Sequence, residues 1–282
     1  MPLYGAVEAG GTKFMVAVGE EAGAEPNAVR RIETSSDAAA TLREVITFFL
    51  DHGPVAAVGV ATFGPVDFRK GTISTTPKEG WAHFPLRDIL QRELRVPVGF
   101  DTDVNGAALA EARLGSGRGA QSLVYVTVGT GIGGGAIIAG KPVHGLLHPE
   151  MGHLPVRLHP EEPAGFMGVC PYHGNCLEGS ASGPAIEARW GKPAVQLPPG
   201  HPAWMIEAGY LAQACLSISL ILSPERIVLG GGVMDQPHLL GMVRARLAEL
   251  NRGYIPLPEL SAPGLKYPGL TGAFVLAEEA LQ

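Results

Sequence analysis

This sequence has few cysteines, no cluster of basic residues and no long apolar run. Lysine and arginine total 21 against 27 acidic residues, which gives a formal net charge of −6, and the basic residues are scattered. A nucleic-acid-binding surface is therefore not indicated. The 3 cysteines do not make a secreted disulfide framework. No stretch approaches about 18 uninterrupted apolar residues, which argues against a transmembrane helix.

The start of the sequence also lacks the marks of an export signal, because no charged segment is followed by a long apolar core. We therefore expect a cytoplasmic protein with no membrane and no nucleic acid as partner. Apolar residues are plentiful, at 46% against 17% charged, and supply enough surface for real cores. The 39 glycines cluster, which indicates loops where the backbone turns tightly or approaches a ligand.

Strand-like and helix-like patterns alternate along the chain. Short apolar runs typical of strands occupy residues 4–7, 14–18, 55–61, 96–100, 122–128, 136–139 and 226–229. Helical periodicity occupies residues 37–51, 85–94, 104–114, 204–222 and 272–281. This alternation predicts an α/β fold. A long irregular stretch, residues 159–180, is rich in Pro, Gly, His and Cys and needs something to hold it.

One supersecondary pattern occurs twice. The strand, glycine turn and second strand of residues 4–18 recur at residues 122–139. The repeat is weak in letters and clearer in pattern, and it predicts a duplicated sheet architecture. With a boundary near Gly117, the 282 residues divide into an N-terminal α/β domain, 1–118, and a C-terminal α/β domain, 119–282.

Two glycine loops lie between apolar strands, at residues 10–13 and 129–135. Several backbone N–H groups that converge on one space bind an anion such as a phosphate well. Each loop also offers a threonine hydroxyl, and the first adds Lys13. The alternative is a pair of tight hairpin turns. A strand-like run follows the second loop, so its glycine pattern is not that of a Rossmann fingerprint.

An acidic sequence, Asp101-Thr102-Asp103, lies where a predicted strand ends and a helix begins. Carboxylates are common helix N-caps, so capping is one interpretation of either aspartate. The other makes Asp103 a general base, since phosphoryl transfer to an alcohol needs a group that accepts the hydroxyl proton. Such groups gather at the carboxyl ends of strands in α/β sheets.

Two cysteines and two histidines follow a metal-like spacing, with His153 ahead of Cys170, His173 and Cys176. Two thiolates and two imidazoles form the closed tetrahedral set that zinc favours in structural sites. A zinc ion would also order the irregular stretch. The alternatives are a disulfide between the last two cysteines, which a cytoplasmic setting disfavours, and coincidence.

The remaining cysteine and histidines have no matching spacing. Cys215 lies on an apolar helix face and is predicted to be a core residue. The other histidines are interpreted as surface or structural residues; they are His83, His144, His148, His159 and His201.

Two carboxylates flank the predicted zinc ligands. Glu150 comes three residues before His153, and Glu178 comes two residues after Cys176. A metal shared by the two ligands would bring these carboxylates near each other, where they could accept hydrogen bonds from vicinal hydroxyls of a sugar. The alternative for each glutamate is an ordinary surface carboxylate.

Taken together, these motifs resemble the ROK family of sugar kinases over nearly the whole chain. The matching segments are the first phosphate loop (8–13), the sugar-side loop (62–67), the catalytic strand end (103–108), the second phosphate loop (128–133), the Glu-x-Gly-His signature (150–153) and the adenosine loop (229–233). The resemblance implies a two-domain actin-like ATPase (ribonuclease H-like) fold. It also implies Mg·ATP as phosphoryl donor, a hexose as acceptor at its 6-hydroxyl, and a homodimer.

The resemblance also assigns site residues, with Asp103 as the catalytic base. It places a sugar at Gly64, Pro65, Thr102, Asp103, Glu150, His153 and Glu178. His153 would reach the sugar through the ring nitrogen that is not on zinc. It places ATP at Gly10, Gly11, Thr12, Lys13, Gly129, Thr130, Gly131, Pro184, Gly230, Gly231 and Gly232. The structural Zn²⁺ would be held by His153, Cys170, His173 and Cys176.

Several positions depart from the common family pattern. Glu8 stands where most members have Asp, Thr102 where many have Asn, and His173 where a cysteine is commoner. These departures, with residues 75–81, are similar to the fructokinase branch and predict fructose as the substrate. The alternative within the kinases is a broad hexokinase acting on glucose, mannose or fructose.

Two other classes of protein, a sugar-sensing transcriptional regulator and a sugar-binding protein without catalysis, are alternatives to a kinase. ROK-like transcriptional regulators carry a helix-turn-helix ahead of the sugar domain, and we expect none here because the first strand begins by residue 3 and the charge is acidic. A sugar-binding protein without catalysis would not need Asp103 and both phosphate loops, which are intact.

Overall fold

The computed structural model describes residues 2–76 and 78–282, so Pro77 of the predicted fructokinase-like segment lies outside the described residues. The chain forms two compact units. The first comprises Met1–Gly115, Lys141–Pro149 and Leu265–Gln282, and the second comprises Ser116–Gly140 and Glu150–Gly264. The sequence placed one boundary near Gly117. The chain does leave the first unit there, but it returns to that unit twice.

The strands vary in length from two to seven residues. In chain order they are β1 (Tyr4–Ala9), β2 (Lys13–Gly19), β3 (Ala28–Glu33), β4 (Ala57–Thr62), β5 (Val66–Asp67), β6 (Thr72–Ile73), β7 (Val98–Thr102), β8 (Ser122–Val128), β9 (Ile132–Ile138), β10 (Lys141–Pro142), β11 (Arg226–Gly230) and β12 (Glu259–Ser261).

The α-helices follow the same order along the chain. They are α1 (Ala38–Asp51), α2 (Leu86–Leu94), α3 (Asp103–Arg113), α4 (Leu177–Ala181), α5 (Gly183–Trp190), α6 (Ala203–Leu222), α7 (Leu239–Asn251) and α8 (Pro268–Ala280). Short 3₁₀ turns occur at Met151–His153 and Ala194–Gln196.

Both units are built on sheets of one topology. In the first, β3-β2-β1-β4-β7 lie side by side, with β1 antiparallel to β2 and parallel to β4. In the second, β9-β8-β11-β12 repeat the arrangement, with β8 antiparallel to β9 and parallel to β11. The duplicated sheet architecture predicted from the sequence is thereby confirmed.

Helix α8 covers the first sheet, although it is the last element of the chain. Every residue of β4 is buried, as its apolar composition predicted for a strand covered on both faces. A Cβ atom built on Gly59 would lie 1.8 Å from the Ala273 carbonyl oxygen, so only glycine permits this close helix–strand approach. The C-terminal helix therefore belongs to the core of the first unit.

The second glycine turn is shorter than the sequence suggested. Val128 pairs with Ile132, so β9 begins at Ile132 and not at Ala136, and only residues 129–131 form the turn. The glycines that follow are strand residues. Gly134 makes room for Met151, because a Cβ atom there would lie 2.8 Å from the methionine sulfur.

Several elements were not predicted at all. They are β3, α4, α5, α7 and the short strands β5, β6, β10 and β12. The apolar stripe of α7 is narrow, with Leu239, Val243 and Leu247 buried at intervals of four residues. Such a narrow stripe gives only a weak helical periodicity in the sequence.

Helix α6, with 20 residues, is the longest described helix of the second unit. Among the described residues it is the one helix that is long and apolar enough, by length and composition only, to cross a membrane. Its most apolar window is 61% buried inside the protein, and the core helix of a globular domain passes the same test. Glu207 lies fully buried within this helix.

Candidate functional site

The first glycine loop is open to solvent and held from one side. Gly10 donates its N–H to the Lys13 carbonyl at 2.9 Å, and the Thr34 hydroxyl donates to the Gly10 carbonyl at 2.8 Å. Gly11, Thr12 and Lys13 are exposed. A loop that is fixed by these hydrogen bonds and exposes backbone N–H and hydroxyl groups is suited to binding an anion.

Glu8 lies at the end of β1, directly before this loop. It packs against the start of α8, because a Cβ atom on Gly269 would lie 2.5 Å from Glu8 Oε1. Burial raises the pKa of Glu8, and the charge of Lys13 opposes that shift. The carboxyl group is thus more costly to ionise here than in water.

The acidic strand end separates its two aspartates into different environments. Thr102 caps α3, since its hydroxyl oxygen accepts from the Asn105 N–H at 3.1 Å. Asp103 is half-buried in the first turn of the helix, where its Oδ1 accepts from the Val104 N–H at 2.9 Å. The N-cap is therefore threonine, and the capping interpretation of the aspartates is wrong.

Asp101 is buried and is the centre of a polar cluster. Its Oδ1 accepts from Thr102 N–H and Asn105 Nδ2, both at 2.7 Å, and its Oδ2 lies 2.9 Å from His144 Nε2. The hydrogen bond that His144 donates to Asp101 raises the pKa of His144, although burial of the ring opposes the shift. Sequence reasoning missed this pair, because no local spacing connects a strand end with a distant histidine.

The sugar-side loop follows β4. Gly64 and Pro65 are joined by a cis peptide bond. Val66 donates its N–H to His148 Nε2 at 3.1 Å, and a Cβ atom on Gly64 would lie 3.2 Å from the same ring. His148 is buried. His148 thus fixes this loop within the first unit.

The second glycine loop is held by the segment around α4. Ile132 donates its N–H to Glu178 Oε2 at 2.9 Å, and Gly183 donates to the Gly129 carbonyl at 2.7 Å. A Cβ atom on Gly131 would lie 2.7 Å from Glu178 Oε2. Thr130 is exposed. One carboxylate oxygen of Glu178 is therefore bonded to the loop that the sequence assigned to phosphate.

The third glycine segment lies beside this loop. Gly230 ends β11, which runs parallel to β8, so residues 230–232 and 129–131 follow the carboxyl ends of neighbouring parallel strands. Gly231 has a φ of +90°, and a Cβ atom there would lie 2.5 Å from the Val128 carbonyl. Pro184 is the second residue of α5, and the first residue, Gly183, makes the contact to the Gly129 carbonyl. The ATP-binding residues predicted in the second unit are thus gathered at one edge of its sheet.

The four predicted metal ligands also converge. Their ligand atoms all lie within 4.8 Å of one another. Cys170 Sγ lies 3.7 Å from His153 Nδ1 and 3.8 Å from His173 Nδ1, and Cys176 Sγ lies 3.5 Å from His153 Nδ1. Tetrahedral zinc ligands, at about 2.0–2.3 Å from the ion, lie roughly 3.5 Å apart, so the donor set fits zinc. All three cysteines are free thiols, and the disulfide alternative is not observed.

A second anchor, missed in the sequence, holds the irregular stretch. Arg189 of α5 forms a buried ion pair with Glu162 at 2.5 Å and donates to the Ser180 carbonyl at 2.7 Å. Its guanidinium also lies 4.1 Å from the Phe166 ring centroid. The stretch between residues 159 and 180 is thus fastened by two clusters, one of cysteine and histidine and one around Arg189.

The predicted site residues fall into two groups, one in each unit. The first unit holds Gly10, Gly11, Thr12, Lys13, Gly64, Pro65, Thr102 and Asp103. The second unit holds Gly129, Thr130, Gly131, Glu150, His153, Cys170, His173, Cys176, Glu178, Pro184, Gly230, Gly231 and Gly232.

Two sheets of one topology, each with a glycine loop between an antiparallel strand pair, define an α/β protein of the actin-like ATPase fold. The model of the ROK family matches residues 4–280, and the chain belongs to this family.

Individual relatives agree over almost the full length. A fructokinase of Zymomonas mobilis is 43% identical over 98% of this chain and 96% of its own. A fructokinase of Pediococcus pentosaceus is 38% identical over 99% of both chains. The crystal structure of a ROK family glucokinase from Streptomyces griseus in complex with glucose and AMPPNP is 26% identical, with a TM-score of 0.79 and coverage of 98% of this chain and 99% of that chain.

Proposed function

We propose that this protein is an ATP-dependent hexose kinase that transfers the γ-phosphoryl group of Mg·ATP to the 6-hydroxyl of fructose. The observation that carries the proposal is the placement of Asp103. Its carboxylate is half-buried in the first turn of α3, at the carboxyl end of β7 and in the same unit as the open loop of residues 10–13. A base at a strand end and a phosphate-binding loop are the two parts that phosphoryl transfer to an alcohol needs.

In this proposal Asp103 accepts the proton of the attacking hydroxyl. Lys13 and the N–H groups of the glycine loops hold the phosphates by charge and position, because phosphoryl transfer needs little covalent help from the protein. Mg²⁺ accompanies ATP. The nucleotide is bound by Gly10, Gly11, Thr12, Lys13, Gly129, Thr130, Gly131, Pro184, Gly230, Gly231 and Gly232.

The sugar is bound by Gly64, Pro65, Thr102, Asp103, Glu150, His153 and Glu178. His153 presents Nδ1 to the cysteine sulfurs, so Nε2 is the ring nitrogen left for a hydroxyl. The two fructokinase relatives favour fructose over the alternative of a broad hexokinase. The Streptomyces griseus complex with glucose and AMPPNP supports a sugar and a nucleotide as the pair of ligands.

His153, Cys170, His173 and Cys176 would hold a structural Zn²⁺. The convergence of two thiols and two imidazoles supports this assignment. A bound zinc ion would cross-link residues 170, 173 and 176 of the irregular stretch to His153, and no chemical step depends on it. We further propose a homodimer in the cytoplasm, a setting that suits free thiols.

A coupled ADP-release assay with Mg·ATP tests the function. Fructose, glucose, mannose and N-acetylmannosamine are compared at matched protein concentration. We expect turnover with the highest kcat/KM for fructose. A higher kcat/KM for another sugar would leave the kinase assignment in place and replace fructose as the proposed substrate. Absence of turnover with every sugar, in a folded and zinc-loaded protein, would overturn the kinase in favour of a sugar sensor.

A further inference from the structure

Residues 141–149 form a segment, here called the strap, that is fastened to the first unit although its flanking segments belong to the second. Two histidines fasten it. His148 accepts the N–H of Val66 in the sugar-side loop, and His144 Nε2 lies 2.9 Å from Asp101 Oδ2 near the end of β7. The strap therefore touches the sugar-side loop and the strand end that leads to Asp103.

The contact of His144 has a defined direction. Asp101 Oδ2 is an acceptor, so Nε2 of His144, at 2.9 Å, carries the proton and donates it. Asn105 Nδ2 lies 3.3 Å from the same nitrogen and donates instead to Asp101 Oδ1 at 2.7 Å. The Asp101 carboxylate thus receives donors from the strand end, from α3 and from the strap. These hydrogen bonds together fix the conformation of the turn between β7 and α3.

The His144 ring is held in place and yet reached by water. It stacks on Phe68, with ring centroids 4.3 Å apart and planes inclined by 16°. Its side chain is 23% exposed, whereas that of Asp101 is 4% exposed. A cavity of about 530 Å³ is lined by both residues, by Arg87 of α2 and by Glu279 of α8. The histidine can therefore exchange protons with solvent while its partner stays buried.

We propose that His144 is a positioning residue for phosphoryl transfer, which holds the β7–α3 turn through Asp101 and so fixes the direction in which Asp103 faces the sugar hydroxyl. The inference rests on the proposed function. His144 acts through Asp101 and Asn105 and touches no reacting atom in this scheme. Small displacements of a general base cost much rate, because the reacting atoms must approach within about 3–3.5 Å.

Protonation of His144 strengthens the contact, because a hydrogen bond between two charged groups is stronger than one with a neutral donor. The charged groups on the neighbouring elements are Arg87 on α2, Glu279 paired with Arg113, Asp67 and Arg69 beside Phe68, and Lys141 on the strap itself. The direct partner, Asp101, raises the pKa of His144. The charged pair is complete below the ordinary histidine pKa of about 6.5 and is lost as pH rises through the raised value.

Steady-state kinetics of the full-length protein test the proposal, with His144→Phe, His144→Gln and the exposed His83→Gln as matched control. Phenylalanine keeps the stack on Phe68 and removes the donor. Glutamine keeps an N–H donor that does not titrate. We expect His144→Phe to lower kcat for fructose roughly 10- to 100-fold with unchanged KM for ATP. His144→Gln should recover most of kcat, and His83→Gln should match the wild type.

The pH profile separates positioning from a general loss of structure. Wild-type kcat should carry an alkaline decline that His144→Gln lacks. In NMR, the His144 imidazole should titrate above its ordinary pKa, and Asp101→Asn should lower that value. Wild-type kcat in His144→Phe, or an equal loss in both His144 variants at every pH, would overturn the inference. A wild-type protein inactive with every sugar would instead refute the proposed function, and the NMR titration would still report on the pair.

Discussion

Asp101 and Asp103 stand two residues apart and differ in almost every physical respect. Asp101 is 3% exposed and has its oxygens on three donors, whereas Asp103 is half-buried in the first helical turn. In the proposed function the general base is the half-buried Asp103, and Asp101 holds the end of β7 through its donors.

Replacement of this base by its amide gives a direct test. Asp103→Asn keeps the size of the side chain and removes the proton acceptor, so we expect kcat to fall by about 10²–10⁴-fold. Sugar binding should persist. Activity is measured by ADP release and binding by calorimetry, with exposed Asp88→Asn as control. A near-wild-type kcat in Asp103→Asn would remove this residue from the mechanism.

Glu207 is a residue whose protonation makes the stability of the protein depend on pH. It is fully buried in α6, and neither carboxyl oxygen has a hydrogen-bond partner among the described residues. Burial raises the pKa of Glu207 well above its ordinary value, although the charge of Arg189 opposes the shift. The folded protein therefore keeps this proton to a higher pH than the unfolded chain does.

A raised carboxyl pKa makes stability decline as pH rises above the unfolded value of about 4.3, up to the folded value. Glu207→Gln mimics the protonated form, so its melting temperature should exceed that of the wild type at pH 7 and converge with it near pH 4. Thermal unfolding followed by circular dichroism checks this. A Gln variant less stable than the wild type at pH 7 would show that the ionised carboxylate has a partner.

At the scale of elements, α4 joins two sites. It starts directly after Cys176 and carries Glu178, which accepts the Ile132 N–H at the second glycine loop. The next residues bring Gly183 to the Gly129 carbonyl. A short helix thus links the cysteine–histidine cluster to the loop proposed for phosphate.

Loss of the Glu178 side chain should loosen that loop. Glu178→Ala removes the acceptor of the Ile132 N–H, so we expect KM for ATP to rise, and KM for fructose to rise as well if the residue also holds the sugar. Glu187→Ala, on the neighbouring helix α5, is the control. Initial-rate kinetics with each substrate varied in turn measure both constants. An unchanged KM for ATP would separate Glu178 from the loop.

Removal of a cluster ligand should act on stability and activity together. Cys170→Ser lowers metal affinity, because an alcohol is a far weaker zinc ligand than a thiolate, and metal binding contributes directly to folding. We expect less zinc per chain by atomic absorption, a lower melting temperature and lower kcat. Cys215→Ala, on α6, should keep its zinc. Full zinc content with unchanged melting in Cys170→Ser would refute the assignment.

At the scale of the whole molecule, the sequence predicted what short-range patterns encode. Both strand–turn–strand units, helices α1, α2, α3, α6 and α8, and the cysteine–histidine cluster follow from periodicity and spacing. The pair of His144 and Asp101, the Arg189 cluster and the return of the strap to the first unit depend on contacts between distant parts of the chain. No local pattern specifies such contacts, and they were missed.

The close packing of α8 on β4, where Gly59 meets Ala273, also orders events during synthesis. The first unit contains the N-terminal strands but needs the last helix of the chain, Pro268–Ala280, to cover one face of its sheet. Domains generally fold as units while the chain emerges from the ribosome. Here the N-terminal strands of the first unit keep one apolar sheet face uncovered until α8 is made, whereas the longer continuous part of the second unit, Glu150–Gly264, is made before α8.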